Sequence, residues 1–212
     1  MTALARVFAA LLLLSGGAQA ATTLTATLTN DQETATVVPT LTTGDPRPVS
    51  FGSAILVIDD AMTSMSFTAT IYNIDFTGLQ TADINDNLTV AHIHGPAAPG
   101  SNGGVIWGFI GTPFNDTSPM DVVVVPFASG VGGTVTSKWD LTEGQNTTFA
   151  AQLNNILAGL TYLNFHTTQF GSGEVRGQIL VVPEPETYLL MLAGLAGIGA
   201  FARRRKALSQ RG

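Results

Sequence analysis

Polar and apolar residues alternate with a period of two along several segments of the chain. Residues 23–29 alternate threonine with leucine or alanine, and residues 65–72, 134–141 and 174–181 show similar alternation. Because successive side chains of a β-strand point to opposite faces, this period predicts strands with one buried and one exposed face. Clusters of Gly, Pro, Asn and Asp separate the segments and predict turns between the strands.

Three further segments depart from simple alternation. Ile55–Ile58 and Val122–Val125 are continuous apolar runs, which predict strands covered on both sides. Between Thr147 and Leu157 the apolar residues recur at helical spacing, with a threonine to cap the start and Gly159 to end it. We therefore expect one short helix between two strands.

These elements together predict an all-β domain over residues 21–181. About eight antiparallel strands fit a Greek-key sandwich or a partly closed barrel, with the single helix as a crossing segment. After the two terminal segments are set aside, about 160 residues remain, which is enough for one domain with its own core.

The first 20 residues have the features of a secretory signal peptide. Arg6 precedes an apolar run from Val7 to Leu14, and residues 18–20 read Ala-Gln-Ala, which fits the small-x-small cleavage rule. We expect cleavage before Ala21. A permanent N-terminal anchor is the alternative, although the apolar run is short.

The C-terminal segment, residues 182–212, combines a short motif, an apolar stretch and a basic tail. The sequence Pro183-Glu184-Pro185 is followed by the uncharged residues 188–202 and then by Arg203, Arg204, Arg205 and Lys206. This arrangement predicts a short transmembrane helix whose basic end stays on the cytoplasmic side, leaving the β-domain outside. A buried helix of the soluble domain is the alternative.

Together these C-terminal features resemble the PEP-CTERM sorting signal of Gram-negative bacteria. The resemblance covers roughly residues 182–206. It implies recognition by an exosortase-type sorting enzyme and an association with extracellular polysaccharide and biofilm. We therefore expect an exported protein of the cell envelope or cell surface, anchored in the membrane by a single segment before it is sorted and in some cases released to the extracellular matrix.

Charge and composition narrow the possible partners. Between Ala21 and Leu180 there are three cations and thirteen anions, a net charge of −10. A domain this acidic should repel nucleic acid, so cations, basic proteins or neutral glycans are the expected partners. The chain has no cysteine, which removes disulfides, thiolate ligands and cysteine nucleophiles together.

The chain's three histidines lie in two short segments. His92 and His94 would project from the same face of one strand, and His166 from a neighbouring strand would complete a three-nitrogen site for copper or zinc. Three alternatives stay open from spacing alone: a metal site, buried histidines satisfied by backbone carbonyls, and a catalytic group. The segment Gly95–Gly104 follows directly and would form a flap over the site.

The same segments resemble the CHRD domain, a family found in chordin and in bacterial secreted proteins. The matching pieces are Leu88–Ala97, Tyr162–Thr167 and Gly173–Ile179. The resemblance spans roughly residues 22–181 and implies that His92, His94, His166, Glu174 and Arg176 carry the family's signature. No biochemical activity follows from it.

Glu174 and Arg176 are two residues apart, so they share a face of the last long strand. One hypothesis is a surface ion pair, with each other or across to a neighbouring strand. Another is that Glu174 accepts a hydrogen bond from a histidine and fixes its tautomer, or binds at the metal's open position.

The function that these features favour is a non-enzymatic, surface-exposed domain with a structural, adhesive or matrix role, in contact with extracellular polysaccharide or surface proteins. The alternative is a copper- or zinc-binding module, with or without catalysis. A third hypothesis is a protein-binding domain, by analogy with chordin.

Overall fold

The computed structural model describes residues 21–183 and 191–199. The described residues up to Val181 form one compact unit, and those from Val182 onward belong to a second. The ten strands are β1 Thr22–Thr29, β2 Phe51–Ile58, β3 Ser64–Tyr72, β4 Leu88–His94, β5 Val105–Ile110, β6 Val123–Pro126, β7 Gly132–Asp140, β8 Tyr162–Thr167, β9 Val175–Gln178 and β10 Leu180–Val181. A 3₁₀ helix spans Asn30–Gln32, helix α1 spans Phe149–Leu157, and helix α2 spans 191–199.

The strands form one curled antiparallel sheet, a half-barrel. Its order is β5-β4-β8-β9-β1-β2-β3-β7-β6, and β10 pairs with β1 outside this order. Curling brings β5, at one edge, against the inner face of strands near the other edge. The Trp107 and Trp139 rings stack with their centroids 5.4 Å apart, and the Phe67 and Phe109 rings lie 4.9 Å apart. The predicted antiparallel all-β class is confirmed, with two strands more than expected.

The buried residues of the alternating strands form the core. They include Leu24, Leu28, Leu56 and Met65, and the positions between them on β1, β2 and β3 face outward. Burial of these apolar side chains is the main favourable contribution to folding, at about 25 cal/mol per Å² removed from water.

The two apolar runs that were expected to be covered on both sides are not. In β2, Leu56 and Ile58 are buried but Ile55 is 60% exposed, because the sheet has its core on one face only. In β6, Val123 and Val125 are more than half exposed, since this strand lies at the edge of the sheet and pairs only with β7. The prediction was wrong because a continuous apolar run also occurs in an interior strand with one open face, as in β2, and in an edge strand, as in β6.

The predicted crossing helix is present as α1. Thr148 is its N-cap, and the Thr148 hydroxyl accepts a hydrogen bond from the Ala151 backbone N–H at 3.2 Å. Gly159 follows the helix with a φ of 70°, a conformation that costs glycine little.

The predicted transmembrane segment, residues 188–202, is described only at 191–199, where the chain is helical and exposed. In the two described ranges, no helix has the length and apolar character needed to span a membrane. The predicted signal peptide, Glu184, Pro185 and the basic residues Arg203, Arg204 and Arg205 lie outside the described residues; Pro183 is the last residue of the first range.

Candidate metal centre

Strands β4 and β8 bring the three histidines together on one face of the sheet. On β4, Ala91 and Ile93 point into the core, so His92 and His94 point to the opposite face. β8 pairs antiparallel with β4, and its register places His166 on that same face. The strand arrangement predicted for the histidines is therefore present.

The three imidazole rings are close to one another and buried. The His92 ring centroid lies 5.6 Å from that of His94 and 5.2 Å from that of His166, and the remaining pair is 5.8 Å apart. One ring nitrogen from each histidine lies within 4.8 Å of the other two. None of the three residues exposes more than 9% of its surface, although their side of the sheet faces away from the core.

Loops cover this face and hold two of the rings through backbone carbonyls. The Nδ1 atom of His94 lies 3.0 Å from the Gly103 carbonyl oxygen, and Nδ1 of His166 lies 3.0 Å from that of Gly171. A carbonyl oxygen can only accept a hydrogen bond, so each Nδ1 carries the hydrogen. The Nε2 lone pair of both neutral rings is then free to bind a metal ion.

His92 lies under a third loop. Its ring interacts with the Thr112 backbone, but within residues 21–183 and 191–199 neither ring nitrogen has a hydrogen-bond partner at normal geometry. The loop packs so closely that a Cβ on Gly108 would collide with the Pro113 carbonyl and lie 3.0 Å from the His92 ring. Glycine at position 108 therefore allows the loop to cover the histidine.

Burial keeps the histidines neutral near pH 7. It lowers the pKa of His92 to about 4, with the neighbouring histidines adding to the shift, and lowers the pKa of His94 to about 4. Burial also lowers the pKa of His166, against the effect of its hydrogen bond to Gly171. The neutral imidazole is the form that binds metals.

Four imidazole nitrogens have no hydrogen-bond partner among the residues that the structure describes. They are both nitrogens of His92 and the Nε2 atoms of His94 and His166. An unsatisfied buried polar atom costs about 1–3 kcal/mol, which makes such a cluster unusual unless it binds something. Ligands at about 2.1 Å from a tetrahedral ion lie roughly 3.4 Å apart, so rotations that move the nitrogens by about 1 Å would close the site. The residues fit a three-imidazole copper or zinc centre.

Tyr162 and Arg176 support His94 from the side. The Tyr162 ring stacks on the His94 ring with centroids 5.0 Å apart and planes 9° apart. The Arg176 guanidinium lies 3.4 Å from the centroid of the Tyr162 ring. Arg176 is 1% exposed and also donates hydrogen bonds to the Ser101 carbonyl and to Asn102 Oδ1, the latter at 3.1 Å.

Through these contacts Arg176 anchors the segment that was predicted to form a flap. The anchored residues immediately precede Gly103, whose carbonyl accepts the hydrogen bond from His94. The Tyr162 hydroxyl also accepts from the Gly103 backbone N–H at 3.2 Å. Arg176 therefore contacts both structures that orient His94: the covering segment and the stacked tyrosine.

Glu174 lies in a different environment from the one expected. Its carboxylate pairs with the Arg47 guanidinium at 2.6 and 2.8 Å and accepts hydrogen bonds from the Ser50 and Thr167 hydroxyls. Both charged side chains are almost completely buried. The hypothesised surface ion pair with Arg176 is therefore replaced by a buried pair with Arg47, and the hydrogen bonds of Glu174 go to these groups rather than to a histidine.

Two polar residues that the sequence interpretation did not select lie beside the histidines. Asn164 pairs with His92 on β4 and with Arg176 on β9, so it shares their face of the sheet. Its side chain interacts with Glu33, whose carboxyl pKa is raised to about 7 by burial against the opposing effects of Arg176 and Asn164. The parity of Asn164 with His166 was a usable signal, whereas nothing local marks Glu33.

A scan against family models matches two parts of the chain. Residues 24–179 match the CHRD domain, and residues 181–206 match the PEP-CTERM protein-sorting motif. No curated protein and no solved structure matched in the corresponding searches. The sorting motif indicates export, sorting to the cell surface and recognition by an exosortase-type system.

The first match covers well over half of the chain, including all three histidines and the strands that carry them. The protein therefore belongs to the CHRD domain family and carries a PEP-CTERM sorting motif behind its β-domain.

Proposed function

We propose that the CHRD domain of this protein is a metal-binding module, in which His92, His94 and His166 hold one copper or zinc ion at the cell surface. The observation that supports it is the convergence of three buried imidazoles with unpartnered nitrogens within 4.8 Å. The role proposed is binding, without a reaction assigned to the site.

The hydrogen bonds of the rings support this proposal over purely structural histidines. A structural histidine would satisfy both of its nitrogens where it can, because each unsatisfied one is costly. Here His94 and His166 use only Nδ1, and the Nδ1 contact to a carbonyl is the arrangement that fixes the tautomer of a metal-binding histidine.

Metal analysis of the purified full chain tests the proposal. We expect one copper or zinc ion per chain after loading and dialysis, and its loss in His94→Ala. Asp83→Asn is the matched control, because it removes one negative charge from a turn outside the histidine cluster, where the Asp83 carboxylate accepts hydrogen bonds from Thr42. Metal content at background in the wild-type chain, or retention of the ion in His94→Ala, would overturn the proposal.

An adhesive or matrix role is a second candidate, and the outer face of the sheet favours it. This face is largely uncharged on β1, β2 and β3, with exposed threonines and serines and with Phe51 and Ile55 about half exposed or more. A non-enzymatic structural component in contact with extracellular polysaccharide would use such a surface, held at the membrane by the C-terminal segment before sorting. Sedimentation of the full chain with extracted surface polysaccharide, compared between wild type and Ile55→Asp, tests this role. Equal binding of the polysaccharide by wild type and by Ile55→Asp would contradict this role.

A further inference from the structure

A cavity of about 320 Å³ lies beside the histidine cluster. Its lining includes His94, Asn102, Tyr162, Asn164 and Ser172, and Glu33 supplies the one carboxylate found there in the described part of the chain. At roughly 30 Å³ per water molecule, the cavity has room for a small organic molecule. His94 belongs both to this lining and to the candidate metal centre.

The cavity contains two acceptor atoms that have no partner at normal hydrogen-bond geometry among the residues that the structure describes. They are the buried Glu33 Oε1 and Asn164 Oδ1, and the Asn164 side chain lies against the Glu33 carboxylate. Both side chains pack against Gly173, where a Cβ would collide with each of them. The glycine therefore allows the carboxylate and the amide to lie together.

The pairing of β8 with β4 places the Asn164 amide next to the candidate metal centre. Asn164 lies directly opposite His92 and is two residues before His166 on the same strand. A side chain at this position has histidines as neighbours across the strands and along its own strand. A three-histidine ion keeps at least one open coordination position, and the cavity lining includes both the candidate ligand His94 and the Asn164 amide.

We infer that this cavity receives the exogenous ligand of the metal ion, and that Glu33 and Asn164 select a small neutral molecule with N–H or O–H donors over an inorganic anion. The inference rests on the proposed metal-binding function. The two unpartnered oxygens accept hydrogen bonds from a protic ligand such as water, an alcohol or an azole. The ionised Glu33 carboxylate also disfavours an anion in the cavity, although Arg176 offsets part of its charge.

Two probe molecules on the copper(II)-loaded full chain test this inference. At pH 8, where Glu33 is mostly ionised, azide and imidazole are titrated separately and followed by the copper absorption and electron paramagnetic resonance spectra. In Glu33→Gln we expect azide to bind about three- to tenfold more tightly, because a negative charge near the ligand is removed. We expect imidazole to bind more weakly, because the charged acceptor for its N–H is lost.

Asp31→Asn is the matched control. Asp31 lines the neighbouring cleft with Glu33 and Arg176 but not the cavity, and it carries the same charge. This control should leave the affinities for azide and for imidazole within twofold of wild type. Asn164→Asp, which adds a charge inside the cavity, should weaken azide binding, and Glu33→Ala provides a second neutral variant if the glutamine variant does not fold.

The outcomes separate this inference from the metal proposal. If the wild-type chain holds no copper, both fail. If copper is held but Glu33→Gln binds azide and imidazole as wild type does, the cavity inference alone is overturned. The same holds if Asp31→Asn changes the azide and imidazole affinities as much as Glu33→Gln does.

Discussion

Tyr162 stacks on His94 with the two ring planes only 9° apart, and the Arg176 guanidinium lies 3.4 Å from the centroid of the same tyrosine ring. The three side chains come from adjacent strands of the curled sheet. His94 and Arg176 are both among the residues that carried the resemblance to the CHRD domain, and the tyrosine connects them. This contact places Arg176 beside the candidate metal centre without making it a ligand.

Replacing Arg176 with methionine should weaken metal binding without removing a ligand. The variant keeps an apolar stem but loses the hydrogen bonds to Ser101 and Asn102, so Gly103 holds the His94 ring less firmly. We expect the Kd for zinc to rise about tenfold, measured by competition with a chelator. Lys138→Met, which removes a partly exposed cation far along the sheet, is the control. A Kd for Arg176→Met equal to that of wild type would contradict the positioning role.

Replacing Glu174 with glutamine should destabilise the fold but spare the metal centre. The change leaves the Arg47 charge buried without its partner, which costs about 3–5 kcal/mol in the free energy of unfolding. Urea unfolding of the full chain measures this loss of stability. The double variant Arg47→Met, Glu174→Leu should lose less stability than Glu174→Gln, and the zinc Kd of the folded protein should stay within about twofold. A large loss of zinc affinity would instead restore the hypothesis that Glu174 supports a histidine.

Glu33 should make the protein less stable as the pH rises from about 4.5 to 7. Burial raises the folded-state pKa of Glu33 to about 7, so over this range the unfolded chain has released the proton while the folded chain still holds it. Glu33→Gln removes this dependence. The difference in the free energy of unfolding between Glu33→Gln and wild type should therefore be larger at pH 7.5 than at pH 4.5, measured in urea. An unchanged difference would show that the carboxyl group is solvated.

The histidines should give the opposite dependence. Burial lowers the pKa of His92 and His94 to about 4, whereas the unfolded chain binds these protons near pH 6.5. The metal-free protein should therefore lose stability as the pH falls from about 6.5 to 4. Urea unfolding with a chelator, in the Glu33→Gln background, isolates this effect. His92→Asn should make the loss smaller, and the same loss in both proteins would assign it to other groups.

Thr148→Ala should weaken helix α1 at its first turn. The hydroxyl of Thr148 accepts from the Ala151 N–H, and loss of such a cap costs about 1 kcal/mol. Urea unfolding of the full chain measures the change, and Thr148→Ser, which keeps the acceptor, should retain most of the stability. Equal losses in the two variants would assign the effect to the methyl group instead.

The sequence was sufficient for the strands and for the meeting of the three histidines. Alternation fixes which side chains share a face, and a strand pairing then brings His166 to His92 and His94. The sequence did not indicate which faces of the sheet are covered by other segments. The apolar run in β6 lies exposed at an edge, whereas the histidine face, opposite the core, is buried by loops. Coverage depends on how distant segments fold over the sheet.

The partners of the charged residues could not be predicted for the same reason. Glu174 finds Arg47, which is 127 positions away in the chain, and Glu33 reaches Asn164 from a loop that has no regular pattern. Spacing within one strand favoured the pair Glu174 and Arg176. The structure separates them, because each is buried against a different loop.

The three segments that cover the histidines come from separate parts of the chain, around Gly103, Thr112 and Gly171. An ion bound beneath them would tie three otherwise independent surface segments to one point, as a cross-link does. In a protein without cysteine, such a cross-link contains no disulfide to be reduced, and it is undone by chelators or acid. Resistance of these segments to external proteases would then rise and fall with the supply of metal around the cell.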